Sequence, residues 1–154
     1  MGVATVVSKL FSFVKADYAY FGEKDFQQLR IIENLIREKK FKVKLVRCET
    51  IRSEDGLALS SRNRKLNFSS KKIATNLFKA LNFAKEKIDV LSIDEIEQKI
   101  SDILSKFKEI ELEYFVVADE KNLKPIKYKQ AEKCRAFIAA YISGVRLIDN
   151  VKLY

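Results

Sequence analysis

Apolar positions recur at helical spacing at the start of the chain, where Val3, Val6, Val7, Leu10, Phe11 and Val14 predict a helix over residues 3–14 that buries one face. Its early valines lower the propensity without breaking the pattern. Tyr18-Ala19-Tyr20-Phe21, stopped by Gly22, reads as a short buried strand. From Asp25, a candidate N-cap, Leu29, Ile32, Leu35 and Ile36 predict a second helix running to about Lys39. Val43, Leu45 and Arg47 alternate with Lys44 and Val46 as a second strand does. Strand, glycine turn, helix and strand make a parallel βαβ unit, a device that binds ligands at the carboxyl ends of its strands.

The pattern then changes. Gly56-Leu57-Ala58-Leu59 is a short apolar run that reads as a strand delivering Ser60, Ser61, Arg62, Asn63 and Arg64 at its end. Asn67 or Ser69 starts a helix through Ile73, Leu77, Leu81, Ala84 and Ile88. Ser92 with Glu95 matches a capping box opening another, with Ile93, Ile96, Ile100, Ile103, Leu104 and Phe107 inward. Residues 111–117 and 137–142 read as strands, and 145–150 follow across Ser143-Gly144, a hairpin signal. Helices followed by strands indicate α+β organisation, so a boundary falls near residues 50–56, giving domains 1–52 and 53–154.

Composition narrows the chemistry. The 154 residues carry 30 basic and 21 acidic side chains, a net charge of +9, and so present a positive field that attracts anions. Nucleic acid, an acidic membrane surface and a phosphorylated small molecule all fit that field. No apolar run reaches the roughly 20 residues that span a bilayer, and no signal-peptide pattern opens the chain, so a cytoplasmic location without membrane attachment is expected. Cys48 and Cys134 are far apart and have no paired spacing, so neither a zinc site nor a disulfide framework is indicated. With no histidine in the chain, proton shuttling falls to other groups, which favours electrostatic stabilisation over acid–base work.

Two stretches suit an anion. Gly22-Glu23-Lys24-Asp25 would follow the carboxyl end of the first strand, with Gly22 permitting close backbone approach, Lys24 supplying charge and Gln28 sharing a helical face with Lys24 and Asp25. In Ser60-Ser61-Arg62 the hydroxyls and the guanidinium fork both donate to phosphate oxygens. Spacing alone also fits plainer readings: an N-cap beside a solvated lysine, and a solvated polar turn. The acid-free run Arg62, Arg64, Lys65, Lys71 and Lys72 is interrupted by Phe68 as its one aromatic, which disfavours nucleic-acid binding.

Three separated blocks together resemble the second half of the pantothenate synthetase (pantoate-β-alanine ligase) family: residues 2–11, residues 20–29 and residues 54–63. Arg146-Leu147-Ile148-Asp149-Asn150 also resembles the end of that family. The resemblance covers essentially the whole chain. It implies an α/β fold, with the second half of a Rossmann-like nucleotidyltransferase domain over residues 1–52. A small α+β C-terminal domain over residues 53–154 would begin with a KMSKS-like loop. It further implies ATP-dependent joining of pantoate and β-alanine through pantoyl adenylate, with Mg2+ accompanying ATP and a homodimeric full-length enzyme. By the same resemblance Gly22, Glu23, Lys24, Asp25, Ile51, Leu59, Ser60, Ser61 and Arg62 belong to the ATP site, and Gln28 binds pantoate. Lys24, Ser60, Ser61 and Arg62 are the implied catalytic groups.

Two departures qualify the match. Glu49 precedes Thr50 where the family commonly has proline, and the family's N-terminal half with its histidine-containing HIGH-type motif is not in these residues. The expectation is a chain with part of the ATP site and little or no activity alone. The alternative from a different class is a non-catalytic binding or assembly module that keeps part of the fold.

Overall fold

A computed structural model describes residues 2–128 and 133–154. In chain order these form α1 (Gly2–Phe13), β1 (Tyr18–Gly22), α2 (Phe26–Lys39), β2 (Lys44–Cys48), α3 (Phe68–Lys87), α4 (Ile93–Leu104), β3 (Ile110–Asp119), β4 (Cys134–Ile142) and β5 (Val145–Lys152), with 3₁₀ turns at Glu23–Asp25 and Ser61–Lys65. The chain divides into two compact units, Met1–Thr50 and Ile51–Tyr154. No helix among the described residues is long and apolar enough to cross a membrane.

In the first unit β1 and β2 pair in parallel, from Tyr18 opposite Lys44 to Gly22 opposite Cys48. This is the expected βαβ arrangement, and it brings both carboxyl ends to one edge. Ile32 and Leu35 of α2 form a small core with Val7 of α1, and Phe11, Phe21, Ile36, Phe41 and Leu45 pack against it. α2 stops where Lys40 turns left-handed (φ 54°) and the Phe41 N–H reaches back to the Ile36 carbonyl at 3.1 Å, so the Ile36 acceptor is satisfied without a glycine.

α1 forms as the periodicity predicts, but it does not bury the face expected. Val7 and Phe11, four residues apart, make the stripe that reaches the core, whereas Val6 is 58% exposed, Leu10 52% and Phe13 82%. Helical spacing identified the apolar face; only one narrow part of it meets α2.

The second unit is an antiparallel sheet in the order β3-β4-β5, packed with α3 and α4. Alternate residues of β4, namely Cys134, Ala136, Ile138, Ala140 and Ile142, join Leu77, Leu81, Ile96, Ile100 and Leu104 of the helices in one core. Each fully buried large aliphatic there contributes about 1.5–3 kcal/mol relative to exposure. Asn67 caps α3, its Oδ1 accepting the Ser70 N–H at 2.8 Å. The Ser92–Glu95 capping box is complete, with the Ser92 N–H donating to Glu95 Oε2 at 2.8 Å and the Glu95 N–H to Ser92 Oγ at 3.3 Å. Ser143 and Gly144 both have positive φ, 48° and 78°, the geometry of the two-residue turn that joins β4 to β5.

Residues 56–59 are not a strand. They are one arm of a minimal hairpin with a single bridge between Arg52 and Ala58, and the 3₁₀ turn Ser61–Lys65 follows. Gly56 at φ 89° turns the chain inside the run that looked extended.

Candidate functional site

In the first unit β1 delivers its carboxyl end at Gly22 and the chain passes directly into the 3₁₀ turn Glu23–Asp25. Gly22 has an ordinary extended backbone (φ −71°, ψ 135°), and a Cβ placed on it would meet no atom within 4 Å. Neither the conformation nor the local packing requires glycine there. What its small size leaves is open space beside the main chain at the end of a parallel strand, where α/β ligands bind.

Asp25 does not cap α2 as its position suggested. It closes the 3₁₀ turn at φ −96°, ψ 57°, outside the extended conformation a capping residue needs, and its side chain makes no cap hydrogen bond. Lys24 and Asp25 therefore sit in the 3₁₀ turn and exposed Gln28 in the first turn of α2, so the three do not share one continuous α-helical face. Glu23 and Lys24 are half-buried and Asp25 is exposed. Behind them Phe26 is fully buried, and the Arg47 guanidinium lies 5.5 Å from its ring centre. Glu33 on α2 accepts from Arg47 on β2 at 2.8 Å and also bonds Arg30. This clasp across α2 and β2 steadies the strand end next to the turn, and spacing gave no sign of it.

In the second unit the hairpin ends in Leu59, Ser60, Ser61 and Arg62. The Leu59 N–H donates to the Ile51 carbonyl at 2.9 Å, which places these two candidate residues side by side. Both keep exposed side chains, Ile51 73% and Leu59 50%. Ser60 Oγ donates to Asn63 Oδ1 at 3.0 Å, and the Asn63 amide donates in turn to the Ala58 carbonyl at 3.0 Å. Asn63 is buried, so this short ring of bonds shapes the turn from inside, while Ser61 and Arg62 are exposed. Two hydroxyls and a guanidinium on one turn form a donor cluster suited to a polyanion.

Nothing in the local spacing marks Asn63 or Arg52 as a working residue. The available signal is the adjacent polar pair Asp149-Asn150 in the middle of β5, flanked by Leu147-Ile148 and Val151; both are buried, and Arg52 bonds Asp149. A cavity of about 470 Å³ in the first unit, lined by Phe11, Lys15, Asp17, Lys40, Phe41 and Lys42 among others, lies at the amino ends of β1 and β2, away from the Gly22 turn. Among the described residues no cluster of three metal-ligating side chains occurs.

A family model described as pantoate-beta-alanine ligase matches residues 1–152. A pantothenate synthetase of Cytophaga hutchinsonii is 42% identical over 153 residues, covering 97% of this chain and 54% of the relative. One from Azobacteroides pseudotrichonymphae is 44% identical over 151 residues, again covering 54% of the relative. The crystal structure of pantothenate synthetase from Thermus thermophilus superposes with a TM-score of 0.92 at 38% identity, over 99% of this chain and 55% of that one. Pantoate-beta-alanine ligase from Francisella tularensis, complexed with beta-gamma ATP and beta-alanine, gives 0.70 at 32% identity over 99% of this chain and 49% of that one. The chain thus spans about half the length of the relatives it matches.

Proposed function

Because the chain belongs to the pantoate-beta-alanine ligase family, we propose that it carries part of the machinery for ATP-dependent ligation of pantoate and β-alanine to pantothenate. In this reading a pantoyl adenylate forms with release of pyrophosphate, and β-alanine then displaces AMP. Supporting observations are the match over residues 1–152 and the Francisella ligase named with an ATP ligand and β-alanine. The observation that carries the assignment of groups is the exposed Ser61–Arg62 turn, built by the Asn63 bonds at the end of a short hairpin.

Each unit supplies one set of groups. In the first, the space beside Gly22 admits the nucleotide, Asp25 accepts from ribose hydroxyls, Lys24 offsets phosphate charge, and Gln28 both donates to and accepts from pantoate. In the second, the backbone near Ile51 and Leu59 meets adenine, and Ser60, Ser61 and Arg62 hold the phosphates. As charge gathers on departing pyrophosphate, donors already in place stabilise the transition state more than the ground state. Magnesium would arrive with the ATP phosphates, which need one or two oxygen ligands from protein at most. A full-length homodimer is part of the same proposal.

Pantoate-dependent ATP–pyrophosphate exchange tests this directly. The chain alone is expected to bind ATP weakly and to exchange poorly. Joined to the remaining half of the family's length, it should exchange, and Lys24→Ala or Arg62→Ala should depress adenylate formation in single turnovers. Unchanged single-turnover rates in both variants would refute the assigned roles, and efficient AMP release by the chain alone would refute the partial-site reading.

A further inference from the structure

Residues 51–59 close on themselves through few bonds: a single bridge made by the Leu59 N–H to the Ile51 carbonyl and the Ser53 N–H to the Leu57 carbonyl, both at 2.9 Å, and at the tip the Gly56 N–H to the Ser53 carbonyl at 2.8 Å and the Leu57 N–H to Ser53 Oγ at 3.1 Å. A hairpin of that size is marginal in water, yet it carries the turn assigned above to phosphates. The Arg52 guanidinium supplies what the hairpin lacks. Its terminal nitrogens donate to both carboxylate oxygens of Asp149, at 2.5 and 2.9 Å, and Nη1 also donates to the Gly56 carbonyl at 3.1 Å. The cation lies 3.8 Å from the centre of the Phe78 ring on α3. Gly56 packs on that same ring, close enough that a Cβ would stand 2.5 Å from Cδ1. One side chain therefore fastens the tip of its own hairpin to β5 and to α3.

Asp149 is itself held. Its Oδ1 accepts the Asn150 N–H at 2.8 Å, Asn150 Oδ1 accepts from Arg135 Nη1 at 2.6 Å, and Arg135 Nε donates to Glu120 at 2.8 Å. Asp149, Asn150, Arg135 and Glu120 are all buried, so this chain of charge-assisted bonds is stiff and costly to break. Ala58, the residue bridged to Arg52, stands two positions before Ser60. Any tilt of Arg52 is passed to the turn, and a shift of about 1 Å in a reacting geometry costs on the order of 100-fold.

We infer that Arg52 is a positioning residue for the phosphate-binding turn: it transmits the rigidity of the β4–β5 ladder to Ser60, Ser61 and Arg62 without touching the nucleotide. The inference rests on the proposed assignment of that turn to phosphates. Lysine cannot substitute, because only a planar fork bonds both carboxylate oxygens and a carbonyl while stacking on a ring.

The test is a titration of the 154-residue chain with inorganic pyrophosphate, read by the amide ¹H and ¹⁵N shifts of residues 60–63. Arg52→Lys is expected to weaken pyrophosphate binding at least about tenfold and to lower hydrogen-exchange protection at Leu59, with the β3 spectrum unchanged and shifts in β5 confined to the neighbourhood of Asp149 and Asn150. If that variant does not fold, Arg52→Gln with Asp149→Asn keeps a neutral hydrogen-bonded pair and is expected to show the same loss. Ile100→Ala, which weakens the core of the same unit away from the hairpin, should bind as the native chain does. Native affinity in a folded Arg52 variant, or an equal loss in Ile100→Ala, overturns the positioning role while the turn's assignment stands. No shift at residues 60–62 in the native chain overturns both.

Discussion

Two glycines with similar backbone angles offer a way to separate conformational strain from collision. Gly56 has φ 89° and Gly144 φ 78°, both in the region that L side chains rarely adopt. Alanine at either position pays about 1–2 kcal/mol for that conformation. At Gly144 nothing stands within 4 Å of the added methyl, so strain is the whole cost. At Gly56 the methyl would be 2.5 Å from Phe78 Cδ1, on a ring whose centre also lies 3.8 Å from the Arg52 guanidinium. Relieving such a contact by moving ring or backbone costs a further 1–3 kcal/mol or so. Gly56→Ala should thus be destabilised about 2–5 kcal/mol and Gly144→Ala about 1–2 kcal/mol.

Hydrogen exchange at the Ala136, Ile138 and Ala140 amides measures the opening of the second unit by itself, whatever the first unit does. Phe78→Leu supplies the control. Its double variant with Gly56→Ala should show at least about 1 kcal/mol of favourable coupling, since the smaller side chain removes the collision. The reasoning fails if the two alanine variants agree within about 0.5 kcal/mol, the usual scatter of additive changes, or if the coupling is absent.

Four further outcomes are expected. Gly22→Ala should leave stability unchanged or raise it by up to about 1 kcal/mol, because its backbone suits alanine, while weakening ATP binding measured by calorimetry; undiminished binding would remove the close-approach role. Asn63→Ala should cost about 1–3 kcal/mol by stranding the Ala58 carbonyl and releasing Ser60, seen as a shifted urea midpoint for the second unit; no shift would refute it. Ser92→Ala should cost about 1 kcal/mol and raise exchange at the first-turn amides of α4; unaltered exchange there would contradict the capping role. Burial pushes the Cys134 thiol up to about 11 from 9.0, and a hydrogen bond to Asp89 pushes Tyr154 up to about 12 from 10.0. The unfolded chain loses both protons at lower pH than the folded one, so their contribution is complete below about pH 9 and disappears between about pH 9 and 12. Thermal melts across that range should show the decline, and Cys134→Ala should flatten its first part; an identical profile would rule the thiol out.

Local rules were legible wherever the cause was local. The α2 stripe, the Asn67 cap, the Ser92–Glu95 box and the Ser143-Gly144 turn each depend on residues within one or two turns, and each formed. The misreadings arose where a second conformation competes over the same few residues. Residues 56–59 are apolar enough for a strand, but four residues cannot reveal that the glycine leads with φ 89° and that one bridge is all the pairing made. Asp25 has the chemistry of a cap, but the 3₁₀ turn it closes takes its backbone out of the capping conformation. Arg52 was invisible for another reason. Its partner Asp149 is 97 positions away, so the pair has no meaning until the sheet is built.

The turn at residues 60–62 shows why its side chains are not equivalent. A serine hydroxyl has one proton to donate. Ser60 directs its proton at Asn63 Oδ1 and is half-buried, so donating to a phosphate would require it to rotate and give up that bond. Ser61 and Arg62, both exposed, need not disturb the turn to present their donors. Donors that stand ready avoid a reorganisation cost when charge develops, and a donor that must first break a bond does not. Under the proposed assignment Ser60 would hold a phosphate only by leaving Asn63, whereas Ser61 and Arg62 would do so as they stand, a division that two adjacent serines in a sequence cannot express. Asn63 makes it, by accepting from one hydroxyl while donating to the carbonyl of Ala58, the residue bridged to Arg52. The hairpin and the turn at residues 60–62 are in this way one mechanical piece, with its outer anchor at Asp149.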